Sequence, residues 1–245
     1  MRIIITFDKK EKIKYTQNQL QGLVYYFIKK ANYSGIHELP QKVPRFFNFS
    51  QLFLNKSDNL TLIIASPIKG LIKAIKQSLK KDDFVRIADQ FLQIIEIKAF
   101  DEKIDKNKII RIKTETPIIV RIPKEKYKNY LLPENFYKYP YFYWRPQPGV
   151  ALEPFVKQLE ARIYKQYKIF TNQKAIKETP IFFNFRYLKT VDLPFFYRGN
   201  KYSRPGTLWE FEINPNLPIK LIKFILDVGL GELNSQGYGF VNIEK

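Results

Sequence analysis

Cysteine is absent from the 245-residue chain, and histidine occurs once. The first absence excludes disulfide scaffolds, thiolate zinc sites, iron–sulfur clusters and cysteine nucleophiles. The second excludes a multi-histidine metal site within one chain, so neither metal nor other cofactor is expected. No stretch approaches the ~18 uncharged apolar residues of a spanning helix. The opening MRIIITFDKK holds too short an apolar run for a signal peptide and reads as a strand. A cytoplasmic protein with no membrane partner is expected. Acid is also scarce, with 23 Asp and Glu against 42 Lys and Arg, for a net charge of +19. Such a field attracts polyanions. Aromatic residues at 16% favour nucleic acid over anionic membrane, because exposed rings stack on unpaired bases.

Hydrophobic spacing gives the element order. Residues 2–7 read as a strand. Leu20, Leu23, Val24, Phe27, Ile28 and Ala31 then mark one face of a helix that stops near Asn32 and Gly35. Strands are expected at 46–53 and 60–65. A second helix carries Ile68, Leu71, Ile72, Ile75 and Leu79 inward, and a strand runs over 91–99. This β-α-β-β-α-β order is that of the ferredoxin-like fold. The same helix bears Lys69, Lys73, Lys76 and Lys80, a stripe that suits a solvated face or an RNA contact. Beyond a charged loop at 101–108, strands at 109–121, a helix at 151–170, strands at 180–190 and 206–213, a helix at 217–228 capped by Asn216, and a strand at 238–243 repeat the order. The reading is α+β, with tandem ferredoxin-like domains at 1–113 and 114–245 and a C-terminal glycine-rich loop.

Four of the ten glycines lie in VGLGELNSQGYGF, as Gly229, Gly231, Gly237 and Gly239. A helix cap needs one glycine, not four. Successive N–H groups in such a loop can cradle phosphate oxygens. The Walker pattern is missing its Gly-Lys-Ser/Thr. The dinucleotide fingerprint fails because here the order is helix, glycines, strand.

The two Gly-hydrophobic-Gly units, five residues apart, resemble the C-terminal loop of the repeat-associated RNA-binding superfamily of CRISPR systems. With the N-terminal strand followed by LQGLVYYFI, nearly the whole chain is similar to the member that cuts precursor CRISPR RNA within its repeats. The resemblance implies an endoribonuclease with repeat RNA as partner, alongside subunits of a CRISPR effector complex, acting as a monomer or homodimer. A non-catalytic RNA-binding subunit of the same superfamily is the alternative.

RNA can be cut without metal through its own 2′-hydroxyl. A base takes that proton, an acid protonates the leaving 5′-oxygen, and a cation stabilises the charge on phosphorus. Histidine is the side chain whose unperturbed pKa lies near neutrality, so the sole one, His37 in NYSGIHELP, suits either proton role. The resemblance implies Tyr25 as its counterpart, with Tyr26 as the fallback, and a basic third residue that is either Lys42 or Arg45. Which of Tyr25 and His37 acts as base stays open. RNA contacts are expected from Arg186, Lys189, Arg198, Lys201 and Arg204 on a strand and the loop at 198–206, together with the four loop glycines. The run of aromatics from Phe136 to Trp144 suits base stacking, cleft closure or a dimer contact.

Overall fold

The structure is a computed structural model that describes residues 1–33, 43–105, 107–197 and 200–244, with the side chains of 195–197, 200 and 201 left aside. Its first sheet is built on β1 (Arg2–Phe7), whose apolar run RIIITF is buried almost throughout. Antiparallel partners flank it: β4 (Leu60–Ala65) pairs Ile3 with Ile64, and β6 (Gln90–Phe100) pairs Ile3 with Ala99. The strand expected at 46–53 is two short pieces, β2 (Asn48–Phe49) and β3 (Phe53–Leu54), both paired with β4. A strand absent from the sequence reading, β5 (Phe84–Ile87), forms a hairpin with β6, and Ala88 sits at its turn with φ of 54°. The sheet order is β2-β4-β1-β6-β5, with β3 beside β4.

Helix α1 (Gln17–Lys30) begins where the sequence offers a capping box. Thr16 Oγ1 accepts from Gln19 N at 3.3 Å, and Gln19 Oε1 accepts from Thr16 N at 2.7 Å. Its buried face is Leu20, Leu23, Val24, Phe27 and Ile28, and Asn32, at φ of 58°, follows its end. Helix α2 (Lys69–Ser78) buries Leu71, Ile72 and Ile75 beside it. The lysine stripe of α2 faces solvent, and Lys69 Nζ meets Asp101 at 3.0 Å.

The second sheet has the order β10-β11-β7-β12. Its strands are β7 (Arg111–Thr114), β10 (Phe182–Tyr197), β11 (Asn200–Ile213) and β12 (Val241–Ile243). A separate pair joins β8 (Arg121–Pro123) to β9 (Tyr141–Tyr143). Helix α3 (Glu153–Thr171) and helix α4 (Ile219–Val228) cover this half. The expected loop at 198–206 is mostly strand, since the β10–β11 ladder runs out to the Tyr197–Asn200 pair. Asn216 does not cap α4. Pro218 stands at the N-cap with no side-chain bond, and the Asn216 amide donates to Asn214 Oδ1 at 2.9 Å.

Much of the 136–144 aromatic run is core. Trp144 packs on Phe155 at 4.6 Å and on Trp209 at 5.7 Å, and Phe142 packs on Phe136 at 4.6 Å. Tyr139 and Tyr141 remain exposed.

A buried arginine joins the two halves. Arg2 Nη2 donates to Leu226 O at 2.8 Å and to Val241 O at 2.7 Å, and Nη1 donates to Asn242 Oδ1 at 2.5 Å. Its guanidinium lies 5.0 Å from the Phe240 ring. Burial pushes its pKa down, and the charges of Glu102 and Asp227 oppose that shift. Three oxygens from the second half thus fix the first strand of the first half.

Candidate nucleic-acid interface

The glycine-rich segment is where the halves meet. Gly229 ends α4 at φ of 84°, and its N–H donates to Ile225 O at 2.8 Å. The Gly237 N–H donates to Asn234 O at 2.8 Å and the Gly239 N–H to Pro117 O at 2.9 Å. These three amides are therefore spent inside the protein. The need for glycine here is close approach. A Cβ at Gly239 would collide with the Leu230 carbonyl, and φ there is +67°. Asn48 Nδ2 reaches across from β2 to Tyr238 O at 3.0 Å. Asn234 Nδ2 bridges Leu230 O and Tyr238 O at 3.0 and 3.1 Å. So folded, the segment presents residues 233–236 to a cleft.

That cleft has a volume of about 450 Å³. Residues 43–47 form one wall, α3 another, and residues 233–236 a third. Three arginines line it: Arg45, Arg121 and Arg162. Arg162 is set by α3, and its Nε donates to Gly231 O at 2.6 Å. Burial pulls its pKa down from the ordinary arginine value. Arg121 is held by Glu232, which accepts from its backbone N–H at 3.0 Å and from its Nε at 2.5 Å. Burial works against the Arg121 charge, but the bond and charge of Glu232 outweigh it and raise the pKa. Tyr141 adds a ring 5.4 Å from the Arg121 guanidinium. A second groove of about 280 Å³ shares Arg121 and Arg162 and adds Lys126 and Lys165. The two grooves thus share two guanidinium forks and add two lysines, chemistry suited to a polyphosphate backbone.

The sequence-predicted catalytic residues are partly brought together. The half-buried Tyr25 ring lies 5.6 Å from Phe47, edge to face. Phe47 and Arg45 both line the cleft. His37 and Lys42 lie outside the described residues, in the stretch 34–42 that runs from the end of α1 to Val43 at the cleft wall. Tyr26 is separated from this site and lines a groove on another side of α1.

The predicted RNA-contacting hairpin is partly engaged elsewhere. Exposed Arg186 bonds Glu210 at 2.9 Å. Lys189 lines a groove of about 530 Å³ between β10 and the start of α1. Arg204 is half-buried and pulls down the pKa of Tyr143 and Tyr238, although burial, the larger effect, raises both. Arg198 and the Lys201 side chain lie outside the described residues.

Sequence reasoning missed Arg121, Arg162, Lys126 and Lys165. A usable signal was present in α3, where Gln158, Arg162 and Lys165 recur at helical spacing beside the apolar stripe.

Known proteins share the sequence and fold of this chain. A curated relative, CRISPR-associated endoribonuclease Cas6 2 of Methanocaldococcus jannaschii, is 27% identical over 99% of both chains. Among solved structures, one named CRISPR associated protein Cas6 superposes with a TM-score of 0.69 at 23% identity, covering 100% of this chain and 99% of that one. Another, described as a RAMP protein binding different RNA substrates, gives 0.68 at 20% identity over the full length of both. The family model described as CRISPR associated protein Cas6, C-terminal, matches residues 100–243, more than half of the chain. The chain therefore belongs to the CRISPR-associated Cas6 family.

Proposed function

We propose that the chain is an endoribonuclease of CRISPR RNA processing that cuts repeat RNA without a metal ion. The observation that carries this is the convergence of Arg45, Arg121 and Arg162 on one cleft. Tyr25, in ring contact with Phe47 of the same wall, supports the reading.

In this reading the scissile phosphate lies in the arginine-lined cleft. The 2′-oxygen forms its bond to phosphorus as the base takes its proton. The bond from phosphorus to the 5′-oxygen breaks as the acid supplies one. His37 and Tyr25 divide those two roles. Arg45, which lines the cleft, stabilises the charge that grows on the phosphoryl oxygens, with Lys42 as the alternative. Arg121 and Arg162 hold neighbouring phosphates. The products are a 2′,3′-cyclic phosphate and a 5′-hydroxyl.

The two sheets are read as tandem ferredoxin-like units, because in each the first strand of the β-α-β-β-α-β order lies between the third and the fourth. The division between them is drawn ahead of β7 rather than after residue 113, since β7 pairs with β11 and β12.

His37→Ala tests the reading. It is expected to abolish cutting of the cognate repeat in excess chelator while RNA affinity stays within about twofold, a change of less than ~0.5 kcal/mol. Undiminished cutting by that variant rejects the assignment. Tight binding by the parent without any cutting supports a non-catalytic RNA-holding subunit instead.

A further inference from the structure

Hairpin β5–β6 turns two phenylalanines outward. In FVRI the side chains of Val85 and Ile87 are buried, while Phe84 and Arg86 point to solvent. Phe91 stands opposite Arg86 across the hairpin, and Phe84 stands opposite Gln93. Phe84 is 65% exposed and Phe91 69%. Neither ring serves the core, which Val85, Ile87 and Leu92 already fill from the other face. Large exposed apolar groups clustered in this way mark interaction sites.

Four further features surround them. Tyr26, 48% exposed, faces the same groove from α1. The groove has a volume of about 520 Å³, within the range of small-ligand clefts. Gly22 forms part of its floor, with no atom within 4 Å of where a Cβ would stand. A glycine in mid-helix costs about 1 kcal/mol relative to alanine, and here it leaves the floor of the groove open. The Arg86 guanidinium lies 5.7 Å from the Phe91 ring.

We propose that Phe84, Phe91, Tyr26 and Arg86 form a stacking site for unpaired bases of the RNA, separate from the arginine-lined cleft. The proposal rests on the reading of the chain as an RNA-binding protein. Flat rings with a guanidinium beside one of them match bases and phosphates, and every base has a π-face to offer. Charge favours the same occupant. The chain carries +19, and the acids at the base of the hairpin are engaged. Asp83 accepts from Lys30 Nζ at 2.7 Å and from the Lys80 amide at 2.9 Å, and Asp82 accepts from Gln93 Nε2 at 3.1 Å. Asp89 stands in the hairpin turn. Because α1 carries Tyr25 towards the cleft and Tyr26 towards this groove, a strand leaving the cleft has one helix to cross.

The probe is a short, labelled, single-stranded oligoadenylate, with the cognate repeat RNA measured in parallel. The double variant Phe84→Ala/Phe91→Ala is expected to bind oligoadenylate roughly 10- to 100-fold more weakly, as loss of one or two stacked bases requires. Phe84→Tyr/Phe91→Tyr restores binding and Phe84→Leu/Phe91→Leu does not, because stacking needs a ring and a generic apolar contact does not. The cutting rate at saturating enzyme is unchanged throughout. Unaltered affinity in the alanine variant overturns the proposal, as does equal rescue by leucine. Loss of a dimer on sedimentation, with RNA affinity intact, overturns it in favour of a second copy of the chain. Because oligoadenylate binding is read without any cutting, failure of the parent to cut its repeat counts against the nuclease assignment and leaves this site to be judged on affinity.

Discussion

Arg121 and Arg162 share a cleft but stand in different electrostatic states. Glu232 holds Arg121 in a close pair, whereas Arg162 gives its Nε to a carbonyl and, among the described residues, has no bonded carboxylate. Phosphate contacts should therefore weigh more heavily on Arg162. Arg162→Ala is expected to weaken RNA binding about tenfold and to reduce the slope of log affinity against log salt by about one. Glu232→Gln keeps an acceptor for the Arg121 amide but removes the competing charge. It is expected to tighten binding severalfold, on the order of 1 kcal/mol, and to steepen that slope. Titrations of both variants at several salt concentrations check the pair. Weaker binding by Glu232→Gln would mean that the carboxylate orients Arg121 rather than competing with RNA.

At the scale of elements, the glycine-rich segment is a joint. Its amides and carbonyls are tied to α4, to the 117–119 stretch and to Asn48 of β2. Gly239→Ala places a Cβ against the Leu230 carbonyl at a positive φ, so a loss of at least ~2 kcal/mol is expected. For a chain of this size that lowers the melting temperature by roughly 4–8 °C, which calorimetry reads directly. A variant that melts with the parent would place the role of Gly239 in RNA contact instead of packing. The segment was recognisable from glycine spacing alone, but its work was not. Spacing shows where backbone freedom is needed, and only tertiary contacts show whether the freed amides face a ligand or a neighbouring carbonyl. Helices α1, α2 and α3 were legible because their buried stripes are long and regular. Strand β5 escaped because four residues carry too little pattern. The β10–β11 hairpin outran expectation because RGNKYSRPG reads as turn composition, yet cross-strand pairing extends to Tyr197 and Asn200.

On the scale of the whole molecule, excess positive charge and two joined sheets become one device. Arg2 and the glycine joint hold the halves together, and the cleft that results gathers arginines from three distant parts of the sequence. That convergence could not be read from sequence, since Arg45, Arg121 and Arg162 share no local motif. The charge could, because +19 states the sign of the partner without its location. The pairing of Tyr25 with His37 is what the family resemblance implies, and the proposed function stands on how the two would use the sugar. Single-turnover cutting of a cognate repeat in excess chelator, with ribose or deoxyribose immediately 5′ of the cut, is the most direct test. The account predicts that the ribose substrate yields a 2′,3′-cyclic phosphate end and that the deoxyribose substrate stays intact while binding equally well. Cutting of the deoxyribose substrate at the parent rate would contradict it.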